Sequence, residues 1–236
     1  MKIPEIDRHF FAEIYDRNRS MMSFDKILNL YYLVINVLEK KIEGQFIETG
    51  CYKGYSAILI QKMLTSFNTT KQLVVFDSFQ GLPEKSIQDF LDANKVINKK
   101  ILQDNKRINK GCFKSSKQVL IDNFKKYKVA RPKIIEGWFE DTLMNNLPDK
   151  IAFAHLDGDL YSSTKIALES IFPKMAVGGI LLIDDYCDKK LSENPLPGVK
   201  IACDEYFKNK KSKVKVLPTL SNSHQALAIK EEEKPV

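Results

Sequence analysis

Apolar and polar positions divide this chain into short apolar runs separated by stretches of helical periodicity. Within residues 22–41, Phe24, Ile27, Leu28, Tyr31, Tyr32, Ile35 and Leu38 recur at near-helical spacing, which predicts an amphipathic helix serving as scaffold. Apolar runs then follow at 45–49, 72–77, 132–137, 151–157 and 179–185, interleaved with helical patterns around 55–67, 116–127 and 163–175. Strands alternating with helices imply parallel βαβ units and helices on both faces of one sheet. The runs at 213–220 and 225–232 are separated by a short polar turn, so the sheet is expected to end in an antiparallel hairpin.

Composition narrows the reading. The 236 residues are 44% hydrophobic, enough for a sizeable core, and are read as one domain over 1–236. Residues 1–43 form its N-terminal helical segment, 84–117 are too polar and long for a casual turn and are expected to form a lid, and 230–236 are a frayed tail. Cys51, Cys112, Cys187 and Cys203 are far apart and contain no CxxC pair, so buried reduced thiols are expected. Glu5 and Asp7 interrupt the start where a secretion signal needs an apolar stretch, and the run near Leu30 is broken by Asn36 and too short to span a bilayer. A cytoplasmic protein without membrane insertion is expected. The net charge of +7 favours an anionic partner without naming one.

The strand ends carry the chemistry. In an open parallel sheet, ligands bind beyond the carboxyl ends of the strands, and here those ends are acidic: Glu48, Asp77, Asp157 with Asp159, and Asp184 with Asp185. Any one of them is unexceptional as a cap or turn residue; together they need a compensating cation. The first loop has Gly50 and Gly54 but no GxGxxG, so the nicotinamide fingerprint is missing. Asp77, at the second strand end, is placed to accept hydrogen bonds from the hydroxyls of a ribose. An adenosine ligand without a pyrophosphate fits best, and S-adenosylmethionine is such a ligand, its cationic end suiting Glu48.

The segments FIETGCYKGYS (46–56), VVFDSFQGLPE (74–84), GWFEDTL (137–143), AHLDGDLYSST (154–164) and GGILLIDDY (178–186) together resemble the macrocin O-methyltransferase family of magnesium-dependent sugar methyltransferases, in the family's order over about residues 20–210. The resemblance implies a Rossmann-like class I methyltransferase with a seven-stranded sheet. It further implies that Asp157, Asp184 and Asp185 bind Mg²⁺, with Mn²⁺ as a substitute, and that Asp159 is the general base. Glu48, Thr49, Gly50, Tyr55, Ser56, Asp77 and Ser78 fall in the loops that hold S-adenosylmethionine, with Asp157 beside them. Cys51-Tyr52-Lys53 and the segment 85–115 depart from the family pattern, so the resemblance leaves the acceptor pocket undescribed.

The chemistry agrees. A sugar hydroxyl is a poor nucleophile at neutral pH, and carboxylate ligands select Mg²⁺ or Mn²⁺ over softer metals. Asp157 and Asp159 are therefore the expected catalytic pair. Trp138 either packs in the core or stacks on the adenine and closes the pocket. His155 is expected to be hydrogen-bonded in the core, with a supporting role open because it shares a face with Asp157; His9 and His224 receive no role. Lys99, Lys100, Lys106 and Arg107 in the lid are placed to meet a phosphorylated acceptor such as a nucleotide-linked sugar. The alternatives are methylation of a catechol or phenol and a non-catalytic cofactor-binding module. Nucleic acid is disfavoured as a substrate because Asp184-Asp185-Tyr186 lacks the proline-containing element common in base methylation. A homo-oligomer is compatible with the amphipathic N-terminal helix.

Overall fold

The computed structural model describes residues 8–90, 108–187, 196–219 and 224–232. Residues 91–107 of the expected lid, with Lys99, Lys100, Lys106 and Arg107, and the tip of the terminal hairpin lie outside the described residues, as do residues 233–236 of the tail.

Two helices, α1 (Arg8–Asn18) and α2 (Phe24–Glu39), lead into strand β1 (Gln45–Thr49). Then follow α3 (Tyr55–Ser66), β2 (Leu73–Asp77), a short 3-10 turn (Ile87–Phe90), α4 (Lys117–Lys126), β3 (Lys133–Glu136), α5 (Phe139–Asn146), β4 (Ile151–Leu156), α6 (Tyr161–Ile171), β5 (Met175–Asp184), α7 (Pro197–Phe207), β6 (Val214–Val216) and β7 (Gln225–Ile229). The seven strands form one sheet in the order β3-β2-β1-β4-β5-β7-β6. Strands β1 to β5 pair in parallel, while β7 runs antiparallel to both β5 and β6. The parallel sheet with a terminal antiparallel hairpin is therefore the architecture the apolar pattern predicts.

Successive side chains on the strands go to opposite faces, each with its own core. Phe46, Val75, Phe153 and Leu182 pack with α2, α3 and α4; Ile47, Phe76, Ala154 and Ile183 pack with α5, α6 and α7. In the first core, the fully buried rings of Phe46 and Phe153 stack at 5.4 Å across neighbouring strands. The parity places Glu48, His155 and Asp184, each two residues beyond a residue of this same core, on the face covered by α2 and α3.

Three boundaries differ from the pattern. Helix α6 starts at Tyr161 and ends at Ile171, where Phe172–Lys174 tighten into a 3-10 turn around Pro173, which has no N–H to continue the ladder. Strand β5 begins at Met175, well before the apolar run at 179–185. Ile151 pairs with Met175 and Phe153 with Ile180, so β5 carries an irregularity at the Gly178-Gly179 pair that reads in sequence as a turn. Helices α5 and α7 lie where no helical pattern stands out.

All four cysteines lie among the described residues and none is in a disulfide. Among those residues, no helix is long and apolar enough to cross a membrane. Replacing Phe153 with Ala is expected to lower unfolding free energy by about 3–5 kcal/mol, because it opens a cavity in a stacked, fully buried pair; urea denaturation monitored by circular dichroism measures it.

Candidate active site

Beside the junction of β1 and β4, where the strand order reverses, a cavity of about 410 Å³ opens at the carboxyl ends of the strands. One side is made by the loops after β1, β2 and β3, through Gly50, Tyr52, Asp77, Ser78, Trp138 and Phe139. Asp157, Gly158, Asp159 and Asp185, from the ends of β4 and β5, also line it. Ser20 and Met21 between α1 and α2, together with Ile108, Phe113 and Leu196, contribute further lining residues.

Backbone conformation sets the shape of this rim. Each strand from β1 to β5 is followed by a residue at positive φ: Tyr52, Phe79, Gly137, Asp159 and Asp185. The conformation costs a non-glycine residue on the order of 1 kcal/mol or more, less for aspartate, and such strain gathers at functional sites. Gly50, at φ +78°, has a different reason. A Cβ there would sit 1.8 Å from the carbonyl oxygen of Asp157, so the β1 and β4 loops touch backbone to backbone.

Asp77 ties these loops together. Its Oδ2 accepts hydrogen bonds from the amides of Cys51 (2.8 Å) and Tyr52 (2.9 Å), and its Oδ1 accepts one from Phe79 (2.7 Å). Three of the roughly four acceptor positions of a carboxylate are thus occupied by backbone, and Asp77 still lines the cavity. Ser78 lies beside it, its hydroxyl accepting from the Gln80 amide. Asp89 fastens the opposite side: its buried carboxylate accepts from the amide and hydroxyl of Ser86 and from the amide of Tyr161, all at 2.8 Å. The start of the 84–117 segment is thereby pinned to the helix that follows Asp159.

The acidic residues divide into two levels. Carboxylate oxygens of Asp157, Asp159 and Asp185 lie within 4.8 Å of one another at the cavity. Partial burial, then repulsion from Asp184 and Asp185, raises the pKa of Asp157 well above the ordinary carboxylate value; burial, then Asp157 and Asp185, does the same to Asp159. This is negative charge in want of a cation.

Glu48 and Asp184 lie behind that surface, in a buried polar row that crosses the sheet. Glu48 pairs with His155 in register, and Glu48 Oε1 is 2.9 Å from His155 Nδ1. His155 Nε2 stands 3.4 Å from Asp184 Oδ1, which also accepts a 2.7 Å hydrogen bond from Gln225 Nε2. Asn29 on α2 in turn donates to Gln225 Oε1. Burial works against charge on His155, but Asp184 and Glu48 outweigh it and hold its pKa well above the usual imidazole value. Burial likewise opposes ionisation of Asp184, and Lys26, His155 and Gln225 overcome it, keeping that carboxyl well below its usual range.

Of the residues expected at the donor site, Gly50, Asp77, Ser78, Trp138 and Asp157 line the cavity; Glu48, Thr49, Tyr55 and Ser56 do not. Glu48 and Thr49 are fully buried in the sheet, Ser56 is buried in the first turn of α3, and Tyr55 packs edge-on against Tyr127. Of the expected metal set, Asp157 and Asp185 face the cavity, while Asp184 is held from behind. Asp159 joins the first two.

Lys26 is the residue that sequence reasoning passed over. It projects from α2, 5% exposed, and its ammonium lies 2.8 Å from Asp185 Oδ1 and 3.4 Å from Asp184 Oδ2. Burial would lower its pKa, but Asp184, Asp185 and Asp157 more than reverse that and hold it well above normal. The signal was available: Lys26 precedes Leu30, Val34 and Val37 on the buried stripe of an otherwise apolar helix face.

Gly50→Ala is expected to lower stability by at least about 3 kcal/mol, because backbone rather than a movable side chain fills the Cβ position. Asp77→Asn, which places an amide donor where backbone N–H groups point, is expected to cost about 1–3 kcal/mol. Chemical denaturation of both variants beside the parent tests the pair, and parent-like midpoints would refute the loop geometry.

Comparison with known proteins agrees with this arrangement. The sequence profile of the macrocin-O-methyltransferase family matches residues 7–216. The 4'-O-methyltransferase of 8-demethyl-8-(2,3-dimethoxy-alpha-L-rhamnosyl)-tetracenomycin-C from Streptomyces olivaceus is 32% identical over 170 residues, which are 71% of this chain and 62% of that enzyme. Demethyldecarbamoylnovobiocin O-methyltransferase from Streptomyces niveus is 29% identical over 190 residues, 79% of this chain and 67% of that enzyme. The chain thus spans about three fifths to two thirds of the length of these relatives. The structure of the O-methyltransferase NovP superimposes with a TM-score of 0.71 at 26% identity, over 90% of this chain and 82% of that one. With the family profile matched over residues 7–216, this chain belongs to the macrocin-O-methyltransferase family.

Proposed function

We infer that the protein transfers a methyl group from S-adenosylmethionine to a hydroxyl of a sugar on a small-molecule glycoside, with a divalent cation at the acidic rim. The observation that carries this reading is the assembly of Asp157, Asp159 and Asp185 in one cavity with the Asp77-clamped loops, in a chain of this family. The relatives named above act on a rhamnosyl-tetracenomycin and a novobiocin precursor, which supports a glycosylated natural product as the acceptor class.

Oxygen donors at this spacing, on carboxyls whose raised pKa values mark uncompensated charge, fit a hard cation such as Mg²⁺ or Mn²⁺. Asp157 and Asp185 would hold it from the cavity side, and Asp184, with a carboxylate oxygen within 4.8 Å of one of Asp157, completes the expected set from behind. When bound, the ion would act as a Lewis acid that lowers the proton affinity of a neighbouring hydroxyl. Asp159, on the loop next to Asp157, receives the acceptor's proton as general base. Leu160 and Tyr161 follow it immediately, and the Asp89 bond to the Tyr161 amide keeps that loop in place. Asp77, Ser78 and Trp138 bind the adenosine part of the donor, with Asp157 and Gly50 close to its reactive end. Phe113, Phe139 and Met21 add apolar surface to the cavity lining. Two reactants held in one cavity need no further encounter, and this positioning contributes much of the rate.

Release of S-adenosylhomocysteine, measured with a panel of glycosides, tests the reaction. Activity is expected with Mg²⁺ or Mn²⁺ and to vanish in EDTA. Asp159→Asn is expected to lower kcat by about 10²–10⁴-fold while leaving S-adenosylhomocysteine binding by calorimetry unchanged. Product formation from catechol but from no glycoside would replace the sugar reading, and no product from any acceptor would leave a donor-binding module.

A further inference from the structure

Lys26 lies outside the strand-end loops that supply most of this site, yet its ammonium bridges the two carboxylates at the end of β5. It donates to Asp185 Oδ1 at 2.8 Å and stands 3.4 Å from Asp184 Oδ2, with 6% of its side chain exposed. The far side of the Asp184 carboxylate is also occupied, its Oδ1 by Gln225 and His155, while the backbone of Asp185 is fixed by its amide donating to the carbonyl of His224. A cation therefore already sits between two residues placed as ligands of the divalent ion, and it is covalently anchored to α2. The helix is itself held down by Asn29 on Gln225 and by Ile27, Leu30 and Val34 in the core.

Electrostatics gives this ammonium a definite job. Glu48, Asp157, Asp159, Asp184 and Asp185 bring five carboxylates to one end of the sheet, and among the described residues Lys26 and His155 are the cations paired with them. Removing one partner of a buried ion pair leaves an uncompensated charge, whereas removing both costs far less. We propose that Lys26 is the site's resident counterion: it holds Asp184 and Asp185 together before a divalent cation arrives, and it competes with that cation for the same two carboxylates. Affinity for the ion is thereby set from α2, outside the loops that bind donor and acceptor. The inference rests on the divalent-cation reading above and deepens it.

The test uses the full chain without substrate, so that it reads binding and stability rather than turnover. Lys26→Met, in EDTA, is expected to melt roughly 5 °C or more below the parent. Its melting temperature should recover more than the parent's on adding MgCl₂, and Mn²⁺ titration followed by electron paramagnetic resonance should show a dissociation constant lowered by about tenfold or more. Lys26→Arg, which keeps the charge, should stay close to the parent in Mn²⁺ affinity. Weaker Mn²⁺ binding by Lys26→Met, or affinity and melting unchanged from the parent, would overturn the proposal. Should Lys26→Met be insoluble, Lys26→Met/Asp185→Asn is expected to fold, since it removes the lysine together with the nearer of its two carboxylates and leaves Asp184 to His155 and Gln225; failure of the double variant as well refutes the counterion role. If neither the parent nor Lys26→Met binds Mn²⁺, the divalent-cation reading fails. The competition goes with it, while the melting temperatures of the single and double variants in EDTA still decide whether Lys26 compensates Asp185.

Discussion

Concentrated negative charge is the constraint around which this molecule is arranged. Parallel strands that end in Glu48, Asp157 and Asp184, with Asp159 and Asp185 just beyond, bring like charges together at a place partly shielded from water. The fold answers with two buried cations. His155 lies between Glu48 and Asp184 within the sheet, and Lys26 reaches Asp184 and Asp185 from the covering helix. Burial lowers the pKa of both, and the carboxylates they face more than reverse that. These two groups offset part of the charge of the five carboxylates, and the surplus gathers at Asp157, Asp159 and Asp185 on the cavity, where a ligand can meet it.

The two levels also separate support from chemistry. Side chains on one parity of the strands point under α2 and form a polar row through Glu48, His155, Asp184 and Gln225, with Asn29 closing its end. Residues just past the strand ends turn outward into the cavity instead. The alternation that divides the apolar core between two faces is the same geometry that sends Asp184 inward and lets Asp185 look out.

Much of this was legible in the sequence. The strands β1, β2 and β4 and the second half of β5 stand out because strands buried on both faces read as continuous apolar runs bounded by acidic or glycine-containing turns, whereas β3 at the sheet edge is four residues long and only half-buried. The terminal hairpin was visible for a similar reason. Helix α7 was not, since Pro197-Gly198 at its start reads as a loop, although proline suits the first turn of a helix. Helix α5 is only eight residues long and buries Leu143 alone, too little for a periodic signal. Gathering the acids at one edge followed from topology, but their division did not: whether Asp184 faces a ligand or a lysine depends on the parity of a strand that starts earlier than its apolar run. Lys26 was hidden by its chemical type, because a lysine in an amphipathic helix is ordinarily assigned to the wet side.

The five left-handed residues at the strand ends carry a consequence for how such a site can diversify. Because the path of the main chain, rather than the bulk of particular side chains, outlines the rim, residues such as Met21, Ile108 and Phe113 are free to change in size without redrawing it. A lineage can therefore reshape the cavity through these peripheral positions while the turn geometry that presents its carboxylates is inherited intact.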